Sequence, residues 1–490
     1  MAKPLIINAP AQGIAQSPHV GFGNMQNLDI FSVPGTARLN TILEKKSGST
    51  VDAVINWIVK NPAVPEKFYA IDTNGVVYNS DDSGATWAEL SDREGAGQGL
   101  EVWKDYLFVA EGDKIDVYGP LSGSPTWTDD WQSLPASDGA WQPMWRSKIN
   151  GKLYIGSGRY LASIEEVSGQ NFAPGNSATY TYTSQDLTLP EDYRIKCLEE
   201  QGGRIMVGTW MGSGSNIYDN RIADIFPWDG SSETYDDLIS MEENGVNAMK
   251  NIGGYLYILA GIDGKIYKSN GTQAWPIAQI PLSVMDISAG KYIRPRPGSI
   301  MNFKGRLFFG LSSGNVANSG IYSLLETNKG NIINFEHFIS TEGTGGTNSL
   351  FIGAMMTVTR DKFLVGWRDN TTYGIDLLNT TSFAYTTNYS GFFESPLYQI
   401  GTHLNKRQFS ELEFNLAKEL GASEGIRIKF RINLTDTFTT LGTYTTAEIG
   451  TGVTSFNTNV NIPFSDQIQV RVELLGTSSS SPEFRNLILN

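Results

Sequence analysis

Residues 254–270 read GYLYILAGIDGKIYKSN. A short apolar, aromatic run follows a glycine, a polar break with its own glycine interrupts it, and a second run follows. The same pair recurs along the chain. First runs are KFYAID (67–72), DYLFVA (105–110), GKLYIGS (151–157), GRIMVGT (203–209), GYLYILA (254–260), GRLFFGL (305–311) and DKFLVGW (361–367). Their followers are GVVYNS (75–80), KIDVYG (114–119), YLASIEE (160–166), SNIYDN (215–220), GKIYKSN (264–270), GIYSLL (320–325) and YGIDLL (373–378).

Strand pairs that return at a period of about fifty residues mark the blades of a β-propeller, each a sheet of four antiparallel strands. Paired helices are excluded, because the runs are short, aromatic and β-branched, with glycine breaks. An upstream strand precedes most first runs: GLEVW, PMWRSKI, RIKCLE, VNAMKN, SIMNF and GAMMTV. Seven units predict a seven-bladed propeller. Six or eight blades stay compatible, since VDAVINWIVKN (51–61) reads either as a separate blade strand or as the strand that closes the ring. Closure by an N-terminal strand would remove an exposed sheet edge.

Within the first unit, NSDDSGATW (79–87) has the spacing of an Asp-box, with Ser80, Asp82, Gly84, Thr86 and Trp87 in place. That hairpin motif is found in sialidases and in several non-enzymatic propellers. Here it follows the second run, so the spacing predicts the hairpin into the blade's outer strand. Gly84 can take positive φ, Asp and Ser side chains can bond nearby amides, and Trp87 is expected to pack between blades. Worn copies end at Trp127 and Trp275. A motif repeated at one blade position has a structural explanation, and it does not announce a glycosidase.

Composition shifts near residue 395. IRIKFRI and IQVRVEL alternate apolar and polar residues, as strands with one buried face do. The expected organisation is all-β: an extended N-terminal arm over 1–50, a propeller over 51–394 and a β-sandwich over 395–490. Ser478–Ser481 reads as a loop before the final strand. The sandwich is equally compatible with glycan binding and with simple packing.

The bulk composition narrows the function. Net charge is −14, and a phosphate-binding surface needs clustered Lys and Arg, so direct nucleic-acid readout is not expected. The single cysteine, Cys197, excludes an intrachain disulfide and a thiolate metal cage; it reads as a small buried hydrophobe. No apolar run is long enough for a membrane span. The opening MAKPLIINAPAQGIAQ lacks an apolar core of useful length, so no secretory signal is expected there.

Motifs for chemistry are sparse. His19, His337 and His403 are far apart and outside any metal-binding pattern. No nucleophile elbow, phosphate loop or dinucleotide fingerprint stands in strand-to-helix context, and EGTGGTNS (342–349) reads as a loop. Glycoside hydrolysis needs two carboxyls across a cleft. Adjacent carboxylates occur at Asp81/Asp82, Asp129/Asp130, Glu165/Glu166, Glu199/Glu200, Asp236/Asp237 and Glu242/Glu243, and all read as solvated surface. The Arg-Ile-Pro segment of sialidases is absent. Arg294 and Arg296 form the one close arginine pair of interest, and a loop at a strand edge accounts for it. No catalytic, cofactor-binding or metal-ligating residue is therefore assigned, and no cofactor is expected.

The ends of the chain carry a different signal. GIAQSPHVGFGNMQNLDIFSVPGTARLN (13–40) resembles the opening of tailed-bacteriophage virion proteins, including the nozzle proteins of short-tailed phages. The matching elements are Gly13, Ile14, Gln16, Pro18, Asn27, Gly35 and Arg38. The closing IQVRVELLGTSSSSPEFRNLIL also resembles the final strands of phage tail-associated proteins, where a polar loop and Ser-Pro precede the last strand. The resemblance implies a non-enzymatic structural component of a virion, in the tail or neck, assembled in the host cytoplasm as a homo-oligomer with other virion proteins. The arm is then expected to cross a neighbouring subunit, burying Ile6, Ile7, Ile14, Phe22 and Ile30. The competing expectation is a propeller that binds or hydrolyses a host-surface glycan during adsorption. A hydrolase should bring carboxylates from two blades to one mouth of the central channel.

Overall fold

The computed structural model describes residues 4–10, 24–41, 43–48, 50–93, 95–135, 141–211, 222–280, 295–312, 319–327, 330–338, 350–369, 371–381, 389–476 and 480–490. The regular structure of these residues is almost entirely strand; one helical turn at Thr446–Ile449 and one 3-10 turn at Ser177–Thr179 are the exceptions.

Seven four-stranded antiparallel sheets follow one another along the chain. Their first strands are Ile55–Lys60, Gly97–Trp103, Met144–Arg146, Tyr193–Gln201, Val246–Ile252, Ile300–Phe303 and Leu350–Thr359. Each first strand packs against the first strands before and after it, and Leu350–Thr359 returns to Ile55–Lys60. Sheets standing side by side around a closed circle make a β-propeller. The apolar first runs of the sequence are the second strands, from Phe68–Asp72 to Lys362–Asp369. In the fourth unit the third strand is Ala223–Trp228; the follower expected at 215–220 lies outside the described residues.

A recurring glycine in the second strands explains how the sheets nest. A side chain at Gly310 would meet Ile352 of the next sheet at 2.1 Å, one at Gly366 would meet Ile55 at 2.6 Å, and one at Gly156 would meet Ile195 at 2.6 Å. The missing Cβ is filled by the neighbour's β-branched residue, so glycine here sets the spacing between sheets.

The ring closes differently from the simplest expectation. Ile55–Lys60 is the first strand of the first sheet, and Leu43–Lys45 supplies the fourth strand of the last, pairing with Thr372–Asn379. An N-terminal strand therefore satisfies the edge that the last sheet would otherwise expose.

Beyond the ring, two further sheets hold the C-terminal residues. One has the order Leu5–Asn8, Phe484–Leu489, Arg407–Leu416, Ser455–Ser465. The other runs Asn24–Gln26, Ser390–Glu394, Gln467–Leu475, Gly425–Arg431, Thr439–Thr445, with Tyr398–Gln399 pairing at its side. The alternation in IRIKFRI reappears as burial: Ile426, Ile428 and Phe430 face the core and the basic residues between them do not. Burying each such side chain contributes roughly 1.5–3 kcal/mol. The same apolar cluster extends through Leu28, Ile30 and Leu39 to Phe309, Tyr322 and Phe335 of the sixth sheet.

The N-terminal residues are thus structural members of this same chain. Ile7 is buried in a strand paired with Phe484–Leu489, and Ile30 is buried in the shared core. Ile6 stays 49% exposed. Ile14 and Phe22 lie outside the described residues. The cause is pairing: the N-terminal segment finds three open sheet edges within its own chain.

Candidate functional site

The Asp-box hairpin joins Val76–Ser80 to Ala88–Asp92, the third and fourth strands of the first sheet. Asp82 accepts from the Thr86 amide (2.8 Å), the Thr86 hydroxyl (2.7 Å) and the Ser80 hydroxyl (2.8 Å), and Ser80 Oγ accepts from the Gly84 amide (2.9 Å). Desolvation works against the Asp82 charge, but these donors together hold its carboxyl below the ordinary pKa. Gly84 takes φ +82°. Trp87 is buried with Ile55 and Phe68 of its own sheet and Leu364 and Ile375 of the seventh. In the fifth sheet, Asn270 stands in for the aspartate and accepts from the amides of Thr272 and Gln273, both at 3.1 Å.

The first strands enclose a central channel. A cavity of about 130 Å³ is lined by residues of all seven sheets, among them Trp57, Leu100, Met144, Cys197, Met249, Ile300 and Met355. Its lining is mostly apolar. Cys197 is buried, and burial pushes its thiol up to about 12, so it acts as a packing residue.

Charges gather toward the C-terminal ends of the first strands. Glu101 of the second sheet and Glu199 of the fourth both line the cavity. Lys250 of the fifth sheet pairs with Glu199 at 2.9 Å and lies over the Trp145 ring at 5.4 Å. Burial pushes the Glu101 carboxyl up to about 7, partly opposed by Arg146 and Lys250. Glu101 keeps some accessible surface and lines the channel cavity. A larger recess of about 390 Å³ adjoins this end, bordered by Trp145, Lys148, Glu199, Glu200, Lys250, Asn251 and Asn302.

Two carboxyls from different sheets therefore reach one cavity, the arrangement asked of a hydrolase. The geometry around them is a poor match to that chemistry. Ligand pockets usually enclose about 300–1,000 Å³, and the cavity that Glu101 lines is smaller. The larger recess is bordered by Glu199, which already holds a lysine, and not by Glu101.

The other adjacent carboxylates are dispersed. Asp129 pairs with Arg93 at 2.5 Å, Asp130 with Lys114 at 2.8 Å and Glu165 with Lys152 at 3.1 Å. Glu166 meets Lys104 at 2.6 Å and Asp81 meets Lys67 at 3.3 Å. Glu199 and Glu243 depart from the expectation of solvated surface, since both are buried. Glu243 is held by Lys265 at 2.5 Å and by the Tyr267 hydroxyl at 2.8 Å. Glu200 points away from Glu199 and accepts from Ser147 Oγ and the Lys148 amide, as neighbours on a strand must. Among the described residues no three His, Cys, Asp or Glu side chains are gathered as a metal site, and no helix is long and apolar enough to cross a membrane. His337 is buried, whereas His403 is on the surface; His19, Arg294 and 342–349 lie outside the described residues.

A dense polar cluster lies at a joint, where residues 27–40 pass between the sixth sheet and the C-terminal sheets. Asn27 takes φ +58°, accepts from the Phe338 amide (2.7 Å) and donates to the Ser390 carbonyl (3.2 Å). Asp29 accepts from Arg38 Nη2 (2.9 Å) and from the amides of Phe31 and Ser32 (both 3.0 Å). Desolvation works against that charge, but these donors and the Arg38 guanidinium hold its pKa below the ordinary value. Asn40 Nδ2 donates to Glu336 Oε2 (2.7 Å), and the buried Glu336 also accepts from Arg306 (2.8 Å) and the Ser323 hydroxyl. From the other end of the chain, Ser481 Oγ accepts from the Leu39 amide (2.8 Å), and Ala37 and Phe484 exchange backbone bonds at 2.9 Å.

No protein-family model matches the chain, and no curated protein matches it. Solved propellers resemble it in outline. YCF48 bound to D1 peptide has 9% identity and TM-score 0.45, covering 73% of this chain and 99% of its own. The Cps50 (Swd1) β-propeller domain of Myceliophteria thermophila has 10% identity and TM-score 0.45, covering 69% and 99%. The Dos1 propeller has 11% identity and TM-score 0.44, covering 69% and 95%. Likeness at this level says nothing about activity, and fold alone would not assign one.

Proposed function

We propose that this chain is a non-enzymatic structural component of a tailed-phage virion, nozzle-like and placed in the tail or neck. It acts as a rigid assembly scaffold made of a seven-bladed propeller and a C-terminal β-sandwich. The observation that supports this reading is where the two chain ends meet. Both ends resemble virion proteins, and of the marked residues Asn27, Gly35 and Arg38 lie at this joint, while Gly13, Ile14, Gln16 and Pro18 lie outside the described residues. Asn27 and Arg38 from the opening, and Ser481 before the last strand, fix the joint. Gly35, another of the matching elements, takes φ +71° in the turn between them. Leu404 (96% exposed) and Phe464 (63% exposed) leave apolar side chains on the C-terminal part for contact with neighbouring subunits. The test is mass spectrometry of density-purified tailed particles from the source of this chain. A fixed copy number per particle is expected; recovery only in the free fraction would sink the reading.

The glycan reading draws on the recess beside the channel, where Trp145 could offer a platform to a sugar ring and Asn251 and Asn302 could offer hydrogen bonds. A glycan-array screen separates the two: selective binding lost in Trp145→Ala would favour adsorption over scaffolding.

A further inference from the structure

At the opposite end of the channel, near the N-terminal ends of the first strands, two arginines face one aromatic ring. Arg296 leads into the sixth sheet's first strand, and Arg368 lies near the end of the seventh sheet's second strand, opposite Phe351 in the ladder. The guanidinium carbons lie 5.6 Å and 4.3 Å from the Phe351 ring centre. Trp141, just ahead of the third sheet's first strand, approaches Arg296 at 5.4 Å. The cluster therefore draws on the third, sixth and seventh sheets.

Among the described residues, the donors at this mouth outnumber the acceptors. A guanidinium carries five N–H donors and never accepts. Arg296 Nη1 donates to Asn56 Oδ1 at 2.7 Å, and Asn56 is itself anchored to the Gly97 carbonyl at 2.7 Å. Arg368 Nε is buried without a hydrogen-bond partner. Among the described residues no carboxylate forms an ion pair with either arginine. Asp369, the next residue along the strand, projects to the other face. Burial, with the nearby Arg368 charge adding to it, pushes the Arg296 pKa down to about 10. Two like charges brought together in a half-buried place cost stability unless something of opposite sign joins them.

We propose that this mouth is a binding site for a carboxylate, held between the guanidiniums of Arg296 and Arg368 with Phe351 and Trp141 as its walls. A planar carboxylate fits the guanidinium fork and can be bridged by two of them. The flat rings favour a carboxylate carried on an apolar or aromatic body over a bare tetrahedral oxyanion. The site is separate from the charged end at Glu101 and Glu199, and the scaffold role does not require it.

Thermal unfolding of the intact chain tests this at constant ionic strength, with acetate, benzoate or phosphate replacing chloride. Benzoate should raise Tm saturably, by about 2 °C or more at high occupancy, acetate less, and phosphate least. Arg368→Met and Arg296→Met should each abolish the shift, and Arg368→Lys should keep part of it. If a variant fails to fold, the wild-type titration still decides. No saturable carboxylate shift, a phosphate shift equal to that of benzoate, or a shift unchanged in folded Arg368→Met would each overturn the assignment.

Discussion

The joint at Asn27–Asn40 and the channel mouth at Arg296 and Arg368 both take polar and charged groups out of water, with opposite outcomes. At the joint every carboxylate has donors: Asp29 has Arg38 and two amides, and Glu336 has Arg306, Ser323 and Asn40. At the mouth two cations share an aromatic ring and no carboxylate among the described residues answers them. A matched network fixes one arrangement of the chain and resists being pulled apart. An unmatched pair of cations is destabilising until a partner arrives, so the first region has the character of a fastening and the second that of a receptor.

That contrast can be broken experimentally, most forcefully at Glu336. Glu336→Ala leaves Arg306 without its carboxylate, while Asn40 keeps only the Leu28 and Glu336 carbonyls. The substitution should cost about 3–5 kcal/mol in chemical denaturation. A loss under 1 kcal/mol would show that the joint is not a fastening.

Acid should weaken the same region by on the order of a few kcal/mol. His337 is held neutral by burial, its pKa pushed down to about 3 despite the nearby Asp29, against about 6.5 in the unfolded chain. Between these values the unfolded chain binds a proton that the folded chain does not. Stability is therefore full above about pH 6.5 and falls as pH drops towards 3. Asp29 adds a further loss below about pH 4, because its folded pKa is depressed. His337→Gln should flatten the upper part of this slope in pH-dependent denaturation; an unchanged slope would place its origin elsewhere.

The Asp-box supplies a milder case, a matched network that is local and largely exposed. Asp82→Ala removes the acceptor for Ser80 and Thr86 and should cost about 1 kcal/mol, read as a shift in denaturation midpoint. A cost near that of Glu336→Ala would mean that exposure does not separate the two networks. The smallest effect belongs to the mouth. Arg368→Met should leave stability within about 1 kcal/mol of wild type, or raise it, when no carboxylate is added. A large loss would mean that the arginine is already satisfied.

The difference also explains what the sequence could convey. The Asp-box lies within nine residues, so its bonds follow from spacing, and its place between the third and fourth strands of a sheet was legible. The repeated runs were legible for the same reason, since each pairs with a neighbour a turn away. The joint was not. Asn27 meets Phe338, and Leu39 meets Ser481, across hundreds of residues, and nothing local in an Asn or a Ser names so distant a partner. The closing strand was missed because Leu43–Lys45 is short and charged, whereas VDAVINWIVKN looked more like a strand and is one. Glu101 and Lys250 left a faint trace, each a lone charge near the end of an apolar first strand, whereas Glu199 was legible only as one of the pair Glu199/Glu200. Arg296 stood out only as half of a pair with Arg294, and Arg368 left no trace, because their meeting depends on how the sixth and seventh sheets pack side by side.

Through the joint, the N-terminal residues fasten the propeller and the C-terminal sheets into one rigid body. Scanning calorimetry of the intact chain tests it most directly, comparing wild type with Glu336→Ala. Wild type should show a single cooperative transition, with calorimetric and van't Hoff enthalpies in agreement, and the variant should separate it into two. Two separate transitions in the wild-type chain would contradict it.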